Sequence, residues 1–260
     1  MTRGRRVAAI PGLVLLLSTA LVGCGGGSSQ ETAPAESAPI ANPVDPATAG
    51  SVTGKVTFEG TPAKPVTFRM DSDPNCGPQG TTGSDETVVV GEGGALQNVF
   101  VYVKDGLGDL KFPVPSTPVV LDQKGCRYTP HVVGVQVGQG FEVLNSDSTL
   151  HNVHALPTAN REFNTGQPLA GLRYSHRFST REVMVPFKCD VHPWMRAYIG
   201  VLDHPFFGVT GADGTFTLTG LPPGTYTVEA WHEKLGTQTQ MVTIGAKESK
   251  DIAVSFKPTT

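Results

Sequence analysis

A chain of 260 residues carrying 20 basic and 23 acidic side chains has a formal net charge of −3, so it offers nothing that suggests nucleic acid as a partner. Its 4 cysteines are few enough that each needs a reason. No nucleophile elbow or phosphate-binding loop stands in the sequence, and catalysis is the class it supports least.

The chain begins MTRGRRVAAIPGLVLLLSTALVGC, three arginines and then an apolar run ending in small residues, which reads as an export signal over residues 1–23. The run contains Pro11 and Gly12 and is short beside the roughly 20 apolar residues that a membrane-spanning helix needs. Leu21-Val22-Gly23-Cys24 resembles the lipobox of bacterial lipoproteins. That resemblance implies lipidation of Cys24, a membrane anchor, and a periplasmic or cell-surface location. Loss of residues 1–23 removes Arg3, Arg5 and Arg6 and no acid, leaving 17 basic against 23 acidic residues and a charge of −6. Residues 24–50 are built mostly from Gly, Ser, Pro, Ala and acids, too little apolar surface to offset chain entropy, and are expected to form a flexible tether.

From residue 51 onward the pattern alternates. SVTGKVTFEG (51–60), TVVVGEGG (87–94), NVFVYVKD (98–105), TPVVLDQKG (117–125) and VGVQVGQGFEVLNSD (133–147) are followed by REVMVPF, AYIGVLDH, GTFTLTG, GTYTVEAWHE, TQMVTIGA and KDIAVSF. These runs are rich in Val, Thr, Phe and Tyr and are separated by Gly, Pro, Asp and Asn. No long stretch has helical periodicity with caps, so the fold class is all-β, built from antiparallel sandwiches. Residues 51–95 are expected to be an N-terminal β extension, either extra strands of the next domain or a separate unit. The 51–60 run also looks like the first strand of a carboxypeptidase regulatory-like repeat.

A boundary falls near residue 206. Beyond it, Asp213-Gly214 and Leu221-Pro222-Pro223-Gly224 are turn sequences between short strands. The DG-x-F, PPG and Y-x-V pieces make residues 206–260 resemble a carboxypeptidase regulatory-like, or transthyretin-like, β-sandwich. Such modules are structural or bind other proteins and say little about function.

The chemistry sits in VPFKCDVHPWMRAY, residues 185–198, where Cys189, His192 and Met195 stand three apart. Upstream, FEVLNSDSTLHNVHALP places His151 after a strand ending at Asn145 and a short turn. Two imidazoles, a thiolate and a weak thioether are the parts of a blue-copper site, because sulfur favours Cu(I) while imidazole accepts both oxidation states. Residues 96–205 accordingly resemble a cupredoxin of the plastocyanin and amicyanin kind, a Greek-key β-sandwich. The resemblance implies one type 1 copper with His151, Cys189, His192 and Met195 as ligands. It also implies that Asn152 ties the two ligand-bearing segments together. It further implies a loop histidine protruding through an apolar patch that would include Pro193 and Trp194.

The remaining histidines are expected to stand outside the site. His154, three residues after His151, would face the opposite side of a regular strand. His131 reads as a loop-edge polar residue and His232 as a strand-end one, while His176 and His204 have no partner pattern. Cys76 and Cys126 lie in turn-rich segments of a chain read as exported, where thiols oxidise. A disulfide between them would close a loop of about 50 residues and contribute on the order of 4 kcal/mol in the chain-entropy model. A pair of free cysteines or a second metal site are the alternatives. Together these features imply a lipid-tethered electron carrier exchanging single electrons with redox protein partners, and no enzyme. Copper holding without electron transfer and a purely structural surface lipoprotein are the competing classes. Partner identity and oligomeric state leave no trace in the sequence.

Overall fold

The computed structural model describes residues 40–258, so the export signal, Cys24 and the first part of the tether lie outside the described residues. Among the described residues no helix is long and apolar enough to cross a membrane. The chain is all-β, with a single 3-10 turn at Glu92–Gly94 among those residues. In chain order the strands are β1 (Gly50–Phe58), β2 (Thr67–Arg69), β3 (Thr82–Ser84), β4 (Phe100–Asp105), β5 (Val119–Gln123) and β6 (Tyr128–Thr129). Next come β7 (Val132–Gln136), β8 (Phe141–Asn145), β9 (His151–Ala155), β10 (Phe163–Gln167), β11 (Arg173–His176) and β12 (Glu182–Lys188). The last six are β13 (Arg196–Leu202), β14 (Phe207–Val209), β15 (Thr215–Leu221), β16 (Gly224–His232), β17 (Gly236–Ile244) and β18 (Ser249–Phe256).

The first sandwich faces a five-stranded sheet, β10-β9-β12-β13-β7, with a four-stranded one, β11-β8-β5-β6. Alternate residues of these strands turn inward, and Leu121, Val143, Val153, Phe187 and Ile199 are among those filling the space between the sheets. Because β9 and β12 are antiparallel neighbours, the start of β9 and the end of β12 lie at one end of the sandwich. That pairing brings His151 and the loop after Lys188 together.

The second sandwich departs from the boundary expected at 95/96, while the one near 206 falls between β13 and β14. It packs a three-stranded sheet, β15-β1-β18, on a four-stranded one, β14-β4-β16-β17. Strand β1 therefore belongs to the C-terminal module, running parallel to β18 and antiparallel to β15. Strand β4, expected in the metal-binding domain, pairs with β14 and β16. The physical reason is burial. Residues 206–260 alone cannot cover their apolar faces, and Val52, Val56, Val101 and Val103 complete one core with Phe216 and Val228.

Two smaller expectations also change. The 87–94 run makes only an isolated bridge, Val90 to Leu96, because Gly93 and Gly94 take positive φ (64° and 78°) and turn the chain. The expected tether is already docked before residue 50. Val44 packs against the second core, and the Thr48 carbonyl accepts from Lys247 N at 3.0 Å. Between the sandwiches lies a third apolar cluster that includes Phe100, Tyr102, Val132 and Leu202. Gly134 and Gly200 are paired across β7 and β13, and a Cβ on Gly200 would stand 2.4 Å from the Phe100 ring. Their bare backbone is what lets the second sandwich lie close on the first.

Candidate metal centre

His151 opens β9 and is fully buried; Cys189 and His192 follow β12 and are 1% and 2% exposed. The loop carrying them is closed by its own backbone, with Met195 N donating to His192 O at 2.9 Å and Cys189 N to Met195 O at 3.2 Å. The side-chain ligand atoms of His151, Cys189 and His192 lie within 4.8 Å of one another. Nδ1 of His151 is 2.9 Å from Nδ1 of His192, which in turn is 3.8 Å from Cys189 Sγ. Met195 is buried in the same core cluster as Cys189, its thioether arising from the loop that carries the other two.

The outer nitrogen of each imidazole meets a carboxylate. His151 Nε2 stands 2.9 Å from Asp147 Oδ2, and His192 Nε2 stands 3.2 Å from Asp73 Oδ2. Both acids stay ionised. Burial alone would raise Asp147, but N–H groups of Cys126 and Gly125 and contact with His151 outweigh it and hold it low. Asp73 is likewise opposed by burial, yet the Thr149 hydroxyl, Asn75 and His192 bring it down to about 2. An ionised carboxylate only accepts, so each Nε2 carries a proton, and both Nδ1 atoms turn inward. Burial raises the Cys189 thiol too, but contact with His192 and the N–H of Asn152 outweighs it, favouring thiolate.

Asn152 spans the two segments. Its backbone N–H points at Cys189 Sγ (3.5 Å), its Oδ1 accepts from Asp190 N (2.5 Å), and its Nδ2 donates to Asn164 Oδ1 and Asp190 Oδ2. His154 points away from the site and meets Asp190 and Glu162, each at 2.9 Å. Cys76 and Cys126 are joined in a disulfide that lies beside the centre, Cys76 Sγ being 3.4 Å from His192 Nε2.

The protruding histidine is not found. Val191 and Pro193 are exposed on either side, but the His192 ring is buried, with Asp73 and Cys76 against its Nε2. Trp194, expected in an open patch, stacks on Phe68 at 5.6 Å and donates to the Cys126 carbonyl at 3.0 Å. His131 is corrected as well. It is buried, with Nδ1 against Arg196 O (3.1 Å) and Nε2 against Glu233 Oε1 (2.5 Å), and so fastens one sandwich to the other. Asp147 and Asp73 were not anticipated. Asp147 is four residues before His151, a spacing the sequence displays, whereas nothing local marks Asp73.

Residues 202–257 match the carboxypeptidase regulatory-like domain family. No curated protein matches the chain. Among solved structures it is similar to a copper-containing nitrite reductase from Thermus scotoductus SA-01, at 21% identity and TM-score 0.32, covering 39% of this chain and 26% of that one. A variant of amicyanin in its Cu(I) form gives 22% identity and TM-score 0.29, covering 39% of this chain and 97% of that one. The novel purple cupredoxin from Nitrosopumilus maritimus gives 23% and 0.28, covering 33% and 99%. The chain thus spans about a quarter of the nitrite reductase. Likeness at these TM-scores carries no functional weight, and the chemistry has to come from the site. What the chain contains is a carboxypeptidase regulatory-like domain in an all-β fold, beside a buried two-histidine, one-cysteine cluster.

Proposed function

We propose that this chain is a lipid-anchored type 1 copper protein that carries single electrons between redox protein partners outside the cytoplasm. One observation supports the metal above all. Two imidazole nitrogens face each other at 2.9 Å, with Cys189 Sγ 3.8 Å from one of them. Three ligand-type atoms within 4.8 Å of one another in a buried site favour a cation among them. The donor set favours copper, since two histidines and a cysteine with a methionine nearby form the blue-copper combination.

Bound copper supplies one-electron chemistry, alternating between Cu(II) and Cu(I). The chain's own contribution is to hold the donors. Asp147 and Asp73 keep the Nε2 protons outward, Asn152 fixes the Cys189 segment against β9, and burial excludes water. With Met195 on the same loop taken as a fourth donor, no position is reserved for a substrate, which favours a carrier over an enzyme. The lipid anchor rests on Leu21-Val22-Gly23-Cys24 and the exported location on the leader before it.

The test is the visible and EPR spectrum of the full-length chain with one equivalent of Cu(II), beside Cys189→Ser. An intense thiolate-to-copper band that ascorbate bleaches and the variant lacks is expected. A pale spectrum indifferent to Cys189 would leave a structural or copper-holding lipoprotein instead.

A further inference from the structure

We infer that Asp73 is a positioning residue for the metal centre, delivered by a disulfide-tethered cap, which lowers the reduction potential of the copper and strengthens its retention. This rests on the copper reading above. The cap is the β2–β3 hairpin and its loop. Met70 and Cys76 are buried in the first core, Phe68 lies on Trp194, and the disulfide to Cys126 ties the loop to the sandwich. Arg127 reinforces it, donating to the Ser84 carbonyl at 2.9 Å and pairing with Glu86 at 2.8 Å.

Within that cap the carboxylate is aimed before any metal contact is counted. Asp73 Oδ1 accepts from Asn75 N (2.8 Å) and Asn75 Nδ2 (3.0 Å), both from its own turn. Oδ2 is left for Thr149 Oγ1 at 2.6 Å and His192 Nε2 at 3.2 Å. Thr149 lies two residues before His151, so one carboxylate oxygen touches both ligand-bearing segments. His151 has its own acid in Asp147, supplied by the neighbouring loop. Both imidazoles are therefore backed by an anion. The one behind His151 comes from the β8–β9 loop of the first sandwich, and the one behind His192 comes from the cap.

A carboxylate that accepts the outer N–H fixes the tautomer and makes the inner nitrogen a stronger donor. It also places negative charge near the ion, which stabilises Cu(II) more than Cu(I) because the more highly charged state gains more from it. Covering the ring makes that effect larger, since little water is present to screen it.

The test compares the full-length copper-loaded protein with Asp73→Asn and Thr149→Val, measuring the absorption band, the reduction potential and the loss of copper to a chelator. Asp73→Asn keeps the shape and removes the charge. It should retain the thiolate-to-copper band, weaken copper binding about tenfold, and shift the couple toward Cu(I) by about tenfold, a rise of about 59 mV for one electron. Thr149→Val removes the other contact of the same oxygen and leaves the charge, so the potential should stay where it was. An unchanged potential in Asp73→Asn beside an intact band would overturn the proposal, leaving Asp73 as a tie for the cap. An equal rise in Thr149→Val would overturn it too, because seating of the cap and not its charge would then set the potential. Absence of the band in the unsubstituted protein would instead sink the copper reading itself.

Discussion

Where the two sandwiches meet, a buried histidine is a fastener. His204 uses both ring nitrogens on backbone, Nε2 donating to Val103 O at 2.9 Å and Nδ1 accepting from Phe206 N at 3.2 Å. His131 likewise has both engaged, by Arg196 O and Glu233. At the end of the first sandwich, His151 and His192 set their outer nitrogens on carboxylates and turn the inner ones toward each other and toward Cys189. The difference is convergence. His232 makes the same point from the other side: its Nε2 is buried without a partner, but that single nitrogen packs near Phe256 with no other donor converging on it. Burial of an imidazole does not make a site; several ligand atoms turned toward one point do.

Breaking the tether at the metal end should have the largest effect. Replacing Cys76 and Cys126 together by serine should cost about 4 kcal/mol, as expected for a closed loop of this length. Urea unfolding followed with a copper-band signal should show the cap and the metal lost together. Equal stability to urea with an unmoved band would mean that the cap seats itself without the disulfide.

Removing a fastener should also lower stability but spare the metal. His131→Ala breaks a buried pair whose side chains are 7% and 8% exposed, with an expected loss of about 3 kcal/mol where the ring is charged. Burial works against that charge, but contact with Glu233 outweighs it, so the folded pKa is raised. The stabilisation is then fully present below the unfolded value of about 6.5 and disappears as pH rises through the folded value. The gap between unsubstituted protein and variant, measured by urea unfolding at about pH 6 and about pH 9, should therefore narrow at the higher pH. A constant gap would identify a packing role for the ring.

The smallest effect should come from the seam between the sandwiches. Gly200→Val puts side-chain atoms where the Phe100 ring lies and should cost about 1–3 kcal/mol by overpacking. Thermal unfolding should report this loss while the metal spectrum stays unchanged. A spectral change would mean that the seam and the metal end are coupled.

Much of this organisation can be read along the chain. The alternating runs announce an all-β fold because each needs one buried face, and Cys189, His192 and Met195 announce themselves because a three-residue spacing on one loop survives any fold. His151 and Asp147 are close to legible, being four apart in a turn. What cannot be read is which sheet a strand joins. Both 51–58 and 100–105 look like ordinary half-buried strands, and only the apolar face left open by residues 206–260 decides that they complete the second sandwich.

The sequence by itself determined the donor types, because ligand chemistry belongs to side chains and not to their surroundings. Tertiary structure alone decided which nitrogens face inward, since that depends on carboxylates placed 4 and 119 residues away from the imidazoles they hold. It also decided that His192 lies under a cap instead of at the surface. No local pattern encodes that cover, because the disulfide and the Phe68–Trp194 stack that hold it join segments far apart in the chain.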